Sequence, residues 1–202
     1  MNEEVVILGK ILVVGSLNVD LVSYVPHLPK VGETVSSMKF QTNYGGKGAN
    51  QAFAAAKLGK EVSMIGKVGS DEYGTSMINH LKQANVDPIG IQIENGPTGM
   101  AFINVSKGGE NNIILVPGAN HEVQRSDIDK YRYLFDHANL VLIQLEIPFS
   151  VVEYVLEVAA ELNKKVILNP APAQELTKKM LEKVHTIIPN ETELQVLTGM
   201  PV

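Results

Sequence analysis

The sequence predicts an α/β protein: an open, mostly parallel sheet with helices on both faces, and a smaller β-layer beside it. Three observations carry that expectation. Short β-branched runs alternate with helical patterns along most of the chain, the pattern of a parallel sheet with crossover helices. The runs are continuously apolar, as in Ile11-Leu12-Val13-Val14, which suits strands buried on both faces. The rhythm breaks once, where Gly99 to Val105 and Asn111 to Val116 flank Ser106-Lys107-Gly108-Gly109-Glu110. That is a hairpin with a Gly-rich turn.

Taken in order, the first strand is Ile11 to Val14, ended by Gly15-Ser16. Two extended stretches follow, Leu21 to Val25 and Val35 to Gln41, and are expected to pair with the hairpin into the small sheet. A helix is expected from near Gly46 through Leu58, with Gly59 at its C-terminal cap. Val62 to Ile65 reads as a strand and Tyr73 to Ala84 as a helix, with Met77, Ile78 and Leu81 as its apolar stripe and Asp71 as its cap. Beyond the hairpin the βα rhythm resumes. Leu140 to Ile143 is a strand, and Ser150 to Leu162 a helix with Val152, Val155, Leu156 and Ala159 on one face. Val166 to Leu168 and Thr186 to Ile188 are two more strands, each followed by a helical stretch.

Composition narrows the function classes. At 202 residues, 45% of them apolar, the chain can bury a large core without staples. It has no cysteine, so disulfides, thiolate zinc sites and thiol nucleophiles are all excluded. Net charge is −5 with no dense Lys/Arg cluster, which argues against nucleic-acid binding. The start Met1-Asn2-Glu3-Glu4 is unlike a signal peptide, and no apolar run is long enough for a membrane span. A cytoplasmic setting fits best. The five histidines form no His-x-x-x-His or His-Glu-x-x-His arrangement, and there is no Gly-x-Ser-x-Gly elbow.

In an open α/β sheet, ligands bind beyond the carboxyl ends of the strands, so the polar residues there are the candidates. Asn18 and Asp20 follow the first strand; a carboxylate and an amide suit a polyol, but an Asx turn explains them as well. Gly45-Gly46-Lys47-Gly48-Ala49-Asn50-Gln51 precedes a helix, where glycines and free N–H groups admit a ligand. Its spacing is neither a Walker A loop nor a dinucleotide fingerprint, and a plain glycine turn remains the alternative. Glu146, in Gln144-Leu145-Glu146-Ile147-Pro148, could accept a sugar hydroxyl or merely be solvated. Asn169-Pro170-Ala171-Pro172 reads as a rigid turn. In Pro189-Asn190-Glu191-Thr192-Glu193, Asn190 and Glu193 have capping-box spacing, which explains them structurally.

Together these segments resemble the phosphofructokinase-B type family of sugar kinases, and within it the ribokinase branch. The likeness rests on Gly15 to Asp20, Gly32-Glu33-Thr34, Gly45 to Ala52, Gln144 to Glu146, Asn169 to Pro172 and Pro189 to Glu193. The resemblance implies a ribokinase-like three-layer αβα sandwich with a β-sheet lid, from segments about 19–42 and 99–117, that also forms a homodimer interface. It implies transfer of the γ-phosphoryl of ATP to O5 of D-ribose, with Mg2+ and a monovalent cation such as K+. Substrate contacts carried over are Asn18, Val19, Asp20, Gly46, Lys47, Gly48, Ala49, Asn50 and Glu146, with Ala101 and Ile103 as apolar lid contacts. Asn190 would touch ATP and Glu193 would reach the metal through water.

The chain also departs from that family. Its catalytic aspartate lies in a Gly-Ala-Gly-Asp or Ala-Ala-Gly-Asp type motif, and no such tetrad occurs here; the nearest echo, Pro117-Gly118-Ala119-Asn120, ends in an amide. The expectation is that the chain matches only the N-terminal two-thirds of the family's length and is inactive alone, lacking base, anion hole and cation loop. With the last helix short of neighbours, it would aggregate or persist through lid-mediated dimers. The alternatives are a sugar-binding or dimerising paralogue without activity, and a kinase for fructose or a nucleoside.

Overall fold

The computed structural model describes residues 9–201; the acidic start, Met1 to Glu4, lies outside them. The first elements are β1 (Ile11–Val14), β2 (Asn18–Val25), β3 (Lys39–Gly45), α1 (Lys47–Lys57), β4 (Val62–Gly69), α2 (Glu72–Gln83) and β5 (Val86–Glu94). The hairpin strands β6 (Gly99–Ser106) and β7 (Asn111–Val116) come next, then a 3-10 turn at Gly118–Glu122. The remainder is α3 (Arg125–Lys130), α4 (Arg132–His137), β8 (Leu140–Ile143), α5 (Phe149–Glu161), β9 (Lys165–Leu168), α6 (Lys178–Leu181), β10 (Thr186–Ile187) and α7 (Glu191–Thr198).

Six strands form the main sheet in the order β10-β9-β8-β1-β4-β5, and every pairing is parallel. Successive side chains of a strand point to opposite faces, and β1 divides accordingly. Leu12 and Val14 join a core with Phe135 of α4 and Val152, Val155 and Leu156 of α5. Val13 joins a second core with Ala52 of α1 and Met77 and Leu81 of α2. Buried on both faces, the sheet explains why its strands read as unbroken apolar runs. The result is the expected αβα sandwich.

A second sheet, in the order β3-β2-β6-β7, stands apart. It is mixed: β2 pairs antiparallel with β3 and parallel with β6, and β6 and β7 form the hairpin. Its lid segments run further than anticipated, from Asn18 and to Gly45. Asn18 and Asp20 are therefore strand residues rather than an Asx turn. Val35 to Ser37 precede the strand, and the Ser37 hydroxyl, donating to the Lys39 carbonyl at 2.8 Å, holds the bend at Met38. The lid is tied to the body by an aromatic stack: His80 of α2 lies between Tyr44 of β3 and Phe53 of α1, with ring centroids 4.2 and 4.9 Å apart.

One main-sheet strand was not foreseen. Pro88 and Gly90 argue against a strand at Val86–Glu94, yet β5 is the edge, where a proline costs no ladder bond on the outer side. Gly90 admits β4 closely; a Cβ there would come within 2.6 Å of the Met64 carbonyl oxygen. A register shift between Ser63 and Ile65 accommodates the pair. Lys67 of β4 is buried beneath it, paired with Glu94 at 3.0 Å and Asp127 of α3 at 3.1 Å. Burial opposes its charge, and the two carboxylates outweigh that, raising its pKa. At the opposite edge, β10 has only two residues, and Ile188, Leu194 and Met200 nearby are exposed.

Candidate functional site

From β1 the chain order runs to β4 and β5 on one side, and from β8 to β9 and β10 on the other. The switch point therefore falls between β1 and β8, where loops diverge and leave a crevice. Ser16, two residues past β1, donates its hydroxyl to Glu146 Oε2 of the loop after β8 at 2.6 Å. That bond spans 130 residues of sequence, and Glu146 is where the crevice is organised.

The same Glu146 oxygen accepts the backbone N–H of Lys47 at 3.0 Å, and the Lys47 ammonium stands 3.8 Å from Oε1. Lys47 is the first residue of α1, so the carboxylate sits at a helix N-terminus, where unpaired N–H groups favour negative charge. The glycine segment thus binds an anion from its own chain. Gly46 makes this possible: its φ of +89° belongs to glycine, and a Cβ would lie 2.7 Å from the Asn18 nitrogen and 2.8 Å from the Ser16 oxygen. Gly48 packs as closely on Ser16.

Asp20 and Asn18 point to the same face of β2, two residues apart. A cleft of about 260 Å³ lies under that face, walled by Asn18, Asp20, Gly46, Lys47, Asn50 and Glu146. Its apolar side is the lid, where Ala101 and Ile103 stand beside Leu115 and Ile113 across the hairpin. The Asp20 carboxyl titrates above its usual range, first because burial opposes its charge and then because Glu146 repels it. Two carboxylates, two amides and an ammonium in one small cleft make a surface suited to several hydroxyl groups.

Three expected contacts fall elsewhere. Val19 points away from the cleft into the core and is fully buried, because alternate strand residues face opposite sides. Ala49 packs in that same core, on the inner face of α1. Gly48 does not line the cleft; its N–H is taken up by the Ser16 hydroxyl and that of Ala49 by the Ser16 carbonyl.

Several residues that matter here carry no role in the sequence motifs that contain them: Ser16, and Ile113 and Leu115 of β7. Gln51 and Gln144 meet behind the cleft at 2.6 Å, joining α1 to the end of β8. Asn120 is buried to 1% exposure and bonds to Leu17 and Asn18. A signal existed in their motif neighbours, since Gln51 and Gln144 flank Asn50 and Glu146 in sequence. Asn120 was visible only as an amide ending a Gly-Ala echo.

Asn190 and Glu193 lie apart from this cleft and do form the capping box: Glu193 N–H donates to Asn190 Oδ1 at 2.8 Å, and Asn190 N–H donates to Glu193 Oε2 at 2.9 Å. Among the described residues, no group of three or more His, Asp or Glu side chains could hold a metal ion. No helix among them is long and apolar enough to cross a membrane.

The family described as "pfkB family carbohydrate kinase" matches residues 8–202. This chain belongs to that family. Among curated carbohydrate kinases, the "Ribokinase" of Haemophilus influenzae is 44% identical over 191 residues, 94% of this chain and 62% of that protein. The "Deoxyribokinase" of Salmonella typhi is 39% identical over 194 residues, 95% of this chain and 63% of that protein. Among solved structures, Arabidopsis thaliana ribokinase complexed with ribose and ATP superposes with a TM-score of 0.88 at 35% identity, over 96% of this chain and 64% of that one. Thermotoga maritima ribokinase gives 0.84 at 38%, over 93% and 61%. The pfkB chain described here thus spans about three fifths of the length of these relatives.

Proposed function

We propose that this chain supplies the sugar-binding part of a kinase that transfers the γ-phosphoryl group of ATP to O5 of D-ribose. The observation that carries the reading is the meeting of Asn18, Asp20, Lys47, Asn50 and Glu146, the last about a hundred residues from the others, at one cleft beneath the lid. A relative bearing the name ribokinase at 44% identity supports it. In this reading the carboxylates of Asp20 and Glu146 accept sugar hydroxyls, and the amides of Asn18 and Asn50 orient the ring. Ala101, Ile103 and Leu115 cover the apolar face and exclude water, which strengthens each polar contact. Phosphoryl transfer depends chiefly on such positioning and on electrostatics. No residue of this chain is assigned as the catalytic base.

Asn190 is proposed to meet ATP through its amide nitrogen, which the capping box leaves unused. For magnesium, Glu193 could act only through water: it is buried to 6% exposure and one oxygen is spent on capping. No step is routed through that ion or a monovalent cation. A cytoplasmic homodimer is proposed as well. The lid leaves Phe40, Phe102 and Ile114 exposed on its outer face, an apolar area that pairing would cover.

Deoxyribose is the second reading, favoured by deoxyribokinase relatives at 39% identity. Calorimetric titration with D-ribose, 2-deoxyribose, fructose and a nucleoside tests both. Ribose heat that vanishes in Glu146→Gln is the expected result. Tighter binding of 2-deoxyribose moves the substrate, and no heat from any sugar overturns the proposal.

A further inference from the structure

Asn120 lies in the turn after the hairpin, 103 residues from the backbone it grips. Its Oδ1 accepts the Leu17 N–H at 2.8 Å, and its Nδ2 donates to the Leu17 carbonyl at 3.0 Å. One amide thus pairs with both polar groups of one residue, which leaves a single orientation for it: reversed, its NH2 would face an N–H. The second Nδ2 proton goes to Asn18 Oδ1, at 2.7 Å. Gly99 provides the room, since a Cβ there would overlap both Asn120 Nδ2 and Asn18 Oδ1.

We propose that Asn120 is a positioning residue that sets the polarity of the cleft, by holding the Asn18 carbonyl oxygen away so that its NH2 is presented to the ligand as a donor. Asn18 is 4% exposed and lines the cleft, and its Nδ2 makes no hydrogen bond to the described residues. A donor on Asn18 then stands beside the acceptor carboxylates of Asp20 and Glu146. An alcohol hydroxyl satisfies such a pair, accepting from the amide and donating to a carboxylate. A carboxylate or phosphate suits it poorly, because its negative charge would face the two acids. The inference deepens the sugar-kinase reading and rests on it for the identity of the ligand, while the orientation of the amides stands on the hydrogen bonds alone.

Two measurements separate the two. Side-chain amide hydrogen exchange by NMR reads the orientation without any sugar: Asn120 NH2 should be protected and Asn18 NH2 should exchange with solvent. In Asn120→Asp the new carboxylate oxygen repels Asn18 Oδ1, so the Asn18 amide turns over and its NH2 becomes protected. Calorimetry with D-ribose should then show affinity weakened about tenfold or more, since an acceptor now faces the acceptors. If Asn120→Asp does not fold, Asn18→Asp serves: it keeps the bond from Asn120, leaves Asn120 NH2 protected, and replaces the donor in the cleft by an acceptor, with the same loss of ribose affinity. A protected Asn18 NH2 in the unmodified protein, or unchanged ribose affinity in whichever variant folds, overturns the proposal. Absence of ribose heat from the unmodified protein, with the exchange pattern as described, refutes the ribose reading and leaves the amide orientation standing.

Discussion

Gly46→Ala would disturb the cleft at its tightest point, and the structure gives the size of the effect. At φ +89° an alanine is strained whatever its surroundings, which costs about 1–3 kcal/mol. Its Cβ would also press on backbone atoms of Ser16, Leu17 and Asn18, the nearest at 2.7 Å. Backbone cannot swing aside as a side chain can, and overpacking of this kind adds about 1–3 kcal/mol. The sum is roughly 2–6 kcal/mol, and at about 2–4 °C per kcal/mol for a domain of this size the midpoint falls by about 10 °C. Gly59→Ala is the control for a positive φ in open surroundings. Its φ is +80° but nothing lies within 4 Å of the added Cβ, so backbone strain acts alone and costs about 1–2 kcal/mol, roughly 3–6 °C. Thermal unfolding followed by circular dichroism compares the two, and ribose calorimetry reports whether Asn18 has shifted. Equal losses for both variants would refute the claim that close packing on residues 16–18, rather than backbone conformation, is why a glycine stands there.

Other changes probe the charges. A folded-state pKa above the unfolded one means that folding favours the protonated Asp20 carboxyl, so its contribution to stability is largest in acid and is lost as pH rises through the raised value. Asp20→Asn should therefore raise the melting temperature at neutral pH while removing ribose heat; a lower melting temperature contradicts the burial argument. Asp71 is the opposite case. Burial pushes its pKa up, but hydrogen bonds from Thr98 and Gly74 outweigh that and leave it lowered. Its stabilisation is present above the unfolded aspartate value and is lost as pH falls through the depressed one, so Asp71→Ala should cost about 1–2 kcal/mol at neutral pH, and less in acid, by urea unfolding. Lys67→Met removes the cation from the buried Asp127 carboxylate, which keeps only its bonds from Gln92 and the Gln124 N–H, and should cost about 1–3 kcal/mol in the same assay. Phe102→Glu should shift sedimentation velocity toward the monomer if the outer lid face is the dimer contact.

Local chemistry was legible wherever local interactions decide. The runs of β1, β8 and β9 are apolar because both faces are covered, and Asp71 and Gly59 mark helix ends as their residue types require. The αβα layers and the separate lid followed from the spacing of such signals. β5 did not, because an edge position tolerates Pro88 and Gly90, and which strand is the edge depends on the whole sheet.

The candidate site divides in the same way. Local patterns were enough to mark the polar groups that follow buried strands, Asn18, Asp20 and Glu146 among them, and the glycine segment that opens α1. Long-range packing is what brings Ser16 and Lys47 onto Glu146, turns Val19, Gly48 and Ala49 away from the cleft, and sets the direction of the Asn18 amide. Those outcomes rest on hydrogen bonds between residues a hundred or so apart, and no local preference encodes a partner at that distance. The packing of the parallel sheet brings the strand ends together, and the geometry of each contact follows from that.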